Sequence, residues 1–274
     1  MGLLIVDEDK CKQDNLCVAD CPVQIMHMPE GGYPQVIAGA EAFCIACGHC
    51  VAVCPFGAIS HPQVKSEDCP PIVKENAVSQ AQAKQFLRSR RSIRQFKKDA
   101  SASRAELEQL MDMARYAQTG HNSQSIHWKI YTKPADVHDV AAGVAAWMER
   151  LVEKNDPMAQ MMNMAVIVKA FKNGVDFIMR GAPHLAVCHA HAEDRFADRS
   201  ADIALTYLEL YAPTLGLGTC WAGYFQAAAL FWPPLQALLD LPEGHVVKAG
   251  LMIGKPNVKY FRCPERKPLR AQWV

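Results

Sequence analysis

The chain has 274 residues, 50% hydrophobic and 21% charged, with 29 basic and 28 acidic side chains. That mixture excludes a disordered or collagen-like chain, and the even charge argues against a nucleic-acid partner. The balance hides a division: residues 1–62 carry two basic and seven acidic side chains, and seven of the eleven cysteines precede residue 55. Two modules of different chemistry are expected, which also suits the length.

The first module reads as short strands around two cysteine runs, IVDEDKC at 5–11 and AISH at 58–61, with a turn at Gly31-Gly32 and Pro34. Residues 44–55, CIACGHCVAVCP, follow C-x2-C-x2-C-x3-C-P, the spacing of iron–sulfur ligation. Three thiolates two residues apart wrap three corners of a cube. The fourth lies a helical turn further on and ligates the other cluster. Residues 11–22, CKQDNLCVADCP, repeat the pattern with Asp14 in the place of the second cysteine. Crossed ligation predicts a 4Fe–4S cluster on Cys44, Cys47, Cys50 and Cys21. A second cluster falls to Cys11, Cys17 and Cys54, with Asp14 at its fourth corner. Carboxylate oxygen is a harder ligand than thiolate. The second site is therefore 4Fe–4S with Asp14 bound, or 3Fe–4S with that corner lost; an exposed loop aspartate is the plain alternative. Zinc and disulfides are weaker readings, because no secretion signal opens the chain and zinc sites do not usually close with Cys-Pro. Residues 1–62 resemble a two-cluster bacterial ferredoxin domain.

Residues 63–79 contain Pro70-Pro71 and read as a linker ending at a helix N-cap, Ser79. Cys69 lies in it as a passive thiol. Residues 90–96, RRSIRQF, place Arg90, Arg91 and Arg94 around Ser92. Guanidinium forks match phosphate oxygens, although a basic helix end is an ordinary feature. A helix follows, opened by the Ser103–Glu106 capping box, with Leu107, Leu110, Met111 and Ala114 on one face. The loop AQTGHNSQSIHW at 117–128 then offers Asn122 and Gln124, amide groups suited to the edge of a heteroaromatic ring or to a polar turn. Strands are expected at 185–190 and 246–253, and an apolar helix at 201–215. Residues 210–239 carry no charge, but three glycines, three prolines and two glutamines break the run. It reads as a buried helix end, a loop and a second buried element, not a membrane span. His184, His189 and His191, with His121 and His127, are read as packing or substrate contacts. Cys188, Cys220 and Cys263 are read as buried small residues, and the methionines at 158–164 as adaptable packing.

Four segments together, RRSIR, the Asn122-containing loop, GLGTCWAGY at 216–224 and CPERKP at 263–268, resemble the nitroreductase-like flavoproteins over residues 80–274. Gln118-Thr119 and Ser125 depart from the family's loop pattern. The resemblance implies an α+β sandwich following the small ferredoxin-like domain, and a homodimer that binds FMN. It implies that Arg90, Ser92 and Arg266 hold the FMN phosphate. Arg91, Arg94, Asn122 and Gln124 would contact ribityl or ring, with Ala222 and Gly223 supplying backbone groups. No catalytic side chain is implied, since N5 of FMN is the reactive centre.

The fusion implies an oxidoreductase that passes electrons from ferredoxin or NAD(P)H through clusters and FMN to a nitroaromatic, quinone or similar conjugated acceptor. No G-x-G-x-x-G follows a strand, so a nicotinamide donor would have to stack on FMN. An electron carrier without a dedicated substrate is the alternative. A cytoplasmic location is expected, because Asp7, Glu8 and Asp9 precede the first lysine.

Overall fold

In the computed structural model, which describes residues 2–274, the two cysteine runs fold alike. Each opens a four-residue helix, α1 (Leu16–Ala19) and α2 (His49–Ala52). Three pairs of equivalent positions have left-handed backbone: Gln13 and Ala46, Asn15 and Gly48, Gln24 and Gly57. The bonds that close the repeats also match, Gln24 N–H to Cys21 O and Gly57 N–H to Cys54 O. The repeat is thus carried by backbone geometry even where a glycine is replaced by a larger residue. β1 (Ile5–Val6) pairs antiparallel with β4 (Ile59–Ser60), and β2 (Met26–His27) with β3 (Gln35–Val36) across the Gly31 turn. Their small core is Cys17, Ile25, Met26, Ala40, Val51 and Ile59. This unit runs through Ala77 and also contains His121–Ser123.

The second unit comprises Val78–Gly120 and Gln124–Val274. Ser79 caps α3 (Gln80–Ser89) and Ser103 caps α4 (Arg104–Ala114), each closing a reciprocal capping box, with Gln82 and with Glu106. Such caps satisfy two otherwise orphaned donors and stabilise a helix by about 1 kcal/mol. An antiparallel sheet has the order β5-β6-β8-β7: β5 (His127–Tyr131), β6 (His184–His191), β8 (His245–Gly254) and the edge strand β7 (Gly218–Trp221). Alternation along β6 sorts its side chains between two cores. Leu185 and Val187 join α5 (Pro134–Glu153) and α7 (Met164–Lys172). Ala186 and Cys188 join α4 and α8 (Ala197–Tyr211). Both faces are covered, so seven of the eight β6 residues are buried. A short helix, α6 (Pro157–Met161), links α5 to α7, and α9 (Gly223–Phe231) and α10 (Pro233–Leu239) follow β7.

Two expectations are corrected. The uncharged 210–239 run is not wholly buried: Leu230, Phe231 and Leu238 are exposed. Cys263 is exposed in the extended C-terminal tail, while Cys188 and Cys220 are buried. Among the described residues no helix is long and apolar enough to cross a membrane.

Candidate functional site

The first site is built by the cysteine repeat. Cys21, Cys44, Cys47 and Cys50 line one cavity whose other walls include Leu3, Ile25 and Met26. This is the quartet that crossed ligation demands, with three thiols from one run and one from the other. Burial pushes the Cys50 thiol up to about 11, with charge on Cys47, Cys21 and Cys17 adding to the rise. Cys17, in the other set, is also raised by burial, and it feels the charges of Cys54 and Asp14. A thiol in this state must lose its proton when iron binds, so cluster loading and proton release are coupled. Gly48 lies between Cys47 and Cys50 with φ +74°, where a side chain is strained; a Cβ would also stand 3.2 Å from Val64. Asp14 is exposed, and its Oδ1 accepts the Leu16 N–H at 3.2 Å, opening α1. His49 Nδ1 lies 3.2 Å from Asp20.

The second site lies along the edge strand β7. Ile93 N–H donates to Thr219 O at 2.8 Å, so the RRSIR segment runs beside that strand. The approach requires Gly218, where a Cβ would stand 2.5 Å from Ile93 Cγ1. The three arginines do not form a single grip. Arg90 and Arg91 line a cavity of about 540 Å³ with Thr219, Lys259, Tyr260 and Arg262. Arg94 lines a second cavity of about 230 Å³ with Arg180, Cys220, Gly223 and Tyr224. The first is of the size that holds a cofactor-like ligand. Arg90 is partly committed: its Nη1 donates to Glu209 Oε1 at 3.1 Å, and Glu209 is buried on α8. Arg91 stands 5.9 Å from the centre of the Tyr260 ring. Ser92 reaches the Cys220 thiol, whose pKa burial raises. Gly223 starts α9, where helix N–H groups without intrahelical partners favour negative charge.

Other expected contacts lie elsewhere. Asn122 Nδ2 donates to the carbonyls of Ile45 and Ala46, both at 3.0 Å, within the first unit. Gln124 lines a different cavity, of about 150 Å³, with Thr119 and Trp128. His121, Asn122 and Gln124 all have positive φ, a conformation that histidine and asparagine adopt more readily than glutamine. Ala222 is buried and its N–H donates to Gly250 O at 2.8 Å, leaving that donor engaged. Arg266 is exposed beside Glu265 and is not part of the large cavity's lining. Lys259 and Arg262 occupy that wall instead, and sequence reasoning missed them together with Arg180, Tyr224 and Glu209. The signal available was KYFR at 259–262, basic residues interleaved with aromatics just past β8.

Residues 87–255 match the model of the nitroreductase family, and residues 9–59 match that of the 4Fe-4S dicluster domain. The chain therefore belongs to the nitroreductase family and is an oxidoreductase with an N-terminal ferredoxin-type iron–sulfur domain. A ferredoxin of Hydrogenibacillus schlegelii, named for seven irons, is 37% identical over 79 residues, covering 28% of this chain and 92% of that protein. An FMN-bound nitroreductase from Bacteroides fragilis superposes with a TM-score of 0.55 at 16% identity, covering 71% of this chain and 96% of its own. An FMN-bound nitroreductase from Desulfitobacterium hafniense gives 0.55 at 19% identity, over 69% and 96%. A BluB-like flavoprotein from Clostridium difficile gives 0.55 at 20%, over 68% and 94%. At these identities the structural likeness speaks for the fold.

Proposed function

We propose that this chain is an FMN- and iron–sulfur-dependent oxidoreductase, taking electrons from ferredoxin or NAD(P)H and delivering them to a nitroaromatic, quinone or similar conjugated acceptor. The observation that carries the proposal is that one polypeptide builds both a four-thiol cavity and a cation-lined cavity beside a sheet edge. When bound, FMN supplies redox chemistry in one- or two-electron steps, and the clusters exchange single electrons.

The chain's own residues bind and orient. In this reading Arg90, Arg91, Lys259 and Arg262 hold the phosphate, with Ser92 nearby. Arg94, Arg180 and the α9 N-terminus at Gly223 place positive charge at the second cavity, where it favours an anionic reduced ring. Cys21, Cys44, Cys47 and Cys50 hold a 4Fe–4S cluster. Cys11, Cys17 and Cys54 hold the other, with Asp14 at the weak corner. The name of the Hydrogenibacillus relative supports a four-iron plus a three-iron cluster. A homodimer belongs to the same proposal, and exposed Leu230, Phe231 and Leu238 give it an apolar surface. Asn122 and Gln124 fit the reading as loop-shaping residues better than as ring contacts of their own protomer's arginine-lined cavities.

The test is anaerobic turnover of the full chain with NAD(P)H or reduced ferredoxin and a nitroaromatic or quinone. Acceptor consumption by the loaded protein is expected. Reduction of both cofactor types with no acceptor consumed would instead make the protein an electron carrier.

A further inference from the structure

His61 closes the last hairpin of the cysteine-rich unit. Its backbone exchanges two hydrogen bonds with Val64, one in each direction and both 3.0 Å, around the Pro62-Gln63 corner. The ring is 6% exposed and lines the same cavity as Cys21, Cys44, Cys47 and Cys50. Gln63 N–H donates to its Nδ1 at 3.1 Å. A ring nitrogen that accepts must keep its lone pair, so the ring's proton sits on Nε2. Nε2 stands 3.7 Å from Cys44 Sγ, within the longer reach of sulfur hydrogen bonds. The other ligand set is supplied differently: Cys54 Sγ accepts the Ala58 backbone N–H at 3.3 Å.

We propose that His61 donates its Nε2–H to the Cys44 thiolate and thereby raises the reduction potential of the cluster on Cys21, Cys44, Cys47 and Cys50. The inference rests on the ligand assignment above and deepens it. Reduction adds one electron, and part of the added negative charge falls on the thiolate sulfurs. A hydrogen-bond donor stabilises the more negative state more, so it shifts the potential upward. No proton moves; His61 is a positioning residue that holds a dipole at the sulfur. The hairpin, which fixes the ring's backbone and its tautomer together, explains why a histidine serves here.

The test uses the full chain prepared without oxygen, as the parent, His61→Leu and His61→Gln. Iron is measured, and each cluster is titrated with dithionite and followed by EPR. With iron content equal, the Leu variant is expected to lower the potential of one cluster only. The Gln variant, which keeps a side-chain N–H, is expected to stay near the parent. A Leu variant with full iron and the parent's potential overturns the inference. An equal fall in both variants also overturns it, because packing would then be the cause. If the Leu variant does not load, ¹⁵N-histidine NMR of the loaded parent decides: a proton on Nε2 supports the inference and one on Nδ1 overturns it. A parent without iron removes the ligand assignment itself, a failure distinct from an unchanged potential.

Discussion

Arg90 has two competing tasks. Its side chain is 30% exposed at the large cavity, and it neutralises Glu209, whose side chain is 9% exposed. Removing one partner of a fully buried pair costs roughly 3–5 kcal/mol; partial exposure here lowers the expected cost of Arg90→Ala to about 2 kcal/mol. Arg90→Ala should therefore lose both stability and FMN affinity, the latter by about ten-fold or more for one charged fork. The double variant Arg90→Ala/Glu209→Gln separates the two, because no buried charge is left uncompensated. It should regain stability but not affinity in flavin titrations. Parental affinity in the double variant would remove Arg90 from the phosphate grip. Asp14 poses the parallel question in the first unit. Asp14→Cys supplies a soft ligand at the corner proposed for Asp14, so iron should rise from about seven to about eight per chain and the three-iron EPR signal should disappear. An unchanged spectrum would leave Asp14 with its Leu16 N–H alone.

At the scale of elements, much was legible where the pattern is local. The N-cap at Ser79, the capping box at Ser103, the strands around 185–190 and 246–253, and the two cysteine runs all follow from residue type and spacing. Proline in the 201–215 stretch shows why boundaries are softer: α8 ends at Tyr211, and Pro213 lies in a following 3₁₀ turn. What could not be read was long-range. Glu209 looks like an ordinary helix acid until α8 packs it against Arg90, 119 residues away. Lys259 and Arg262 follow the last strand in an extended tail with no periodicity to read.

The sheet brings together another group. His127, His189, His191 and His245 come from three neighbouring strands, with His189 Nδ1 and His245 Nδ1 3.0 Å apart. Burial first, then the charges of His245, His127 and Lys129, pushes the pKa of His189 down to about 4. His184 and His245 are also lowered, chiefly by burial. A histidine with a depressed pKa stays neutral in the fold while the unfolded chain protonates near pH 6.5, so stability is full above 6.5 and falls as pH drops toward 4. For His189 the loss is on the order of 2–3 kcal/mol. All five tryptophans lie between residues 128 and 273, so tryptophan fluorescence follows the second unit alone. The urea midpoint should fall between pH 7 and pH 5, and His189→Gln should flatten that dependence. A midpoint that does not move with pH would contradict the buried neutral histidines.

For the whole molecule, the two units contrast in what holds them together. The second has a sheet with an apolar core on each face; among the described residues the first has six buried ones in its core, one of them a cysteine. So little apolar surface does not fold a domain of this size unaided, and the clusters are expected to supply the missing free energy. The most direct measurement is iron, sulfide and flavin analysis of protein purified without oxygen, with its visible spectrum, and circular dichroism before and after iron chelation. About seven or eight irons and one FMN per chain are expected, with loss of structure on chelation while tryptophan fluorescence holds. Colourless protein without iron or flavin, whose circular dichroism ignores the chelator, would contradict that expectation.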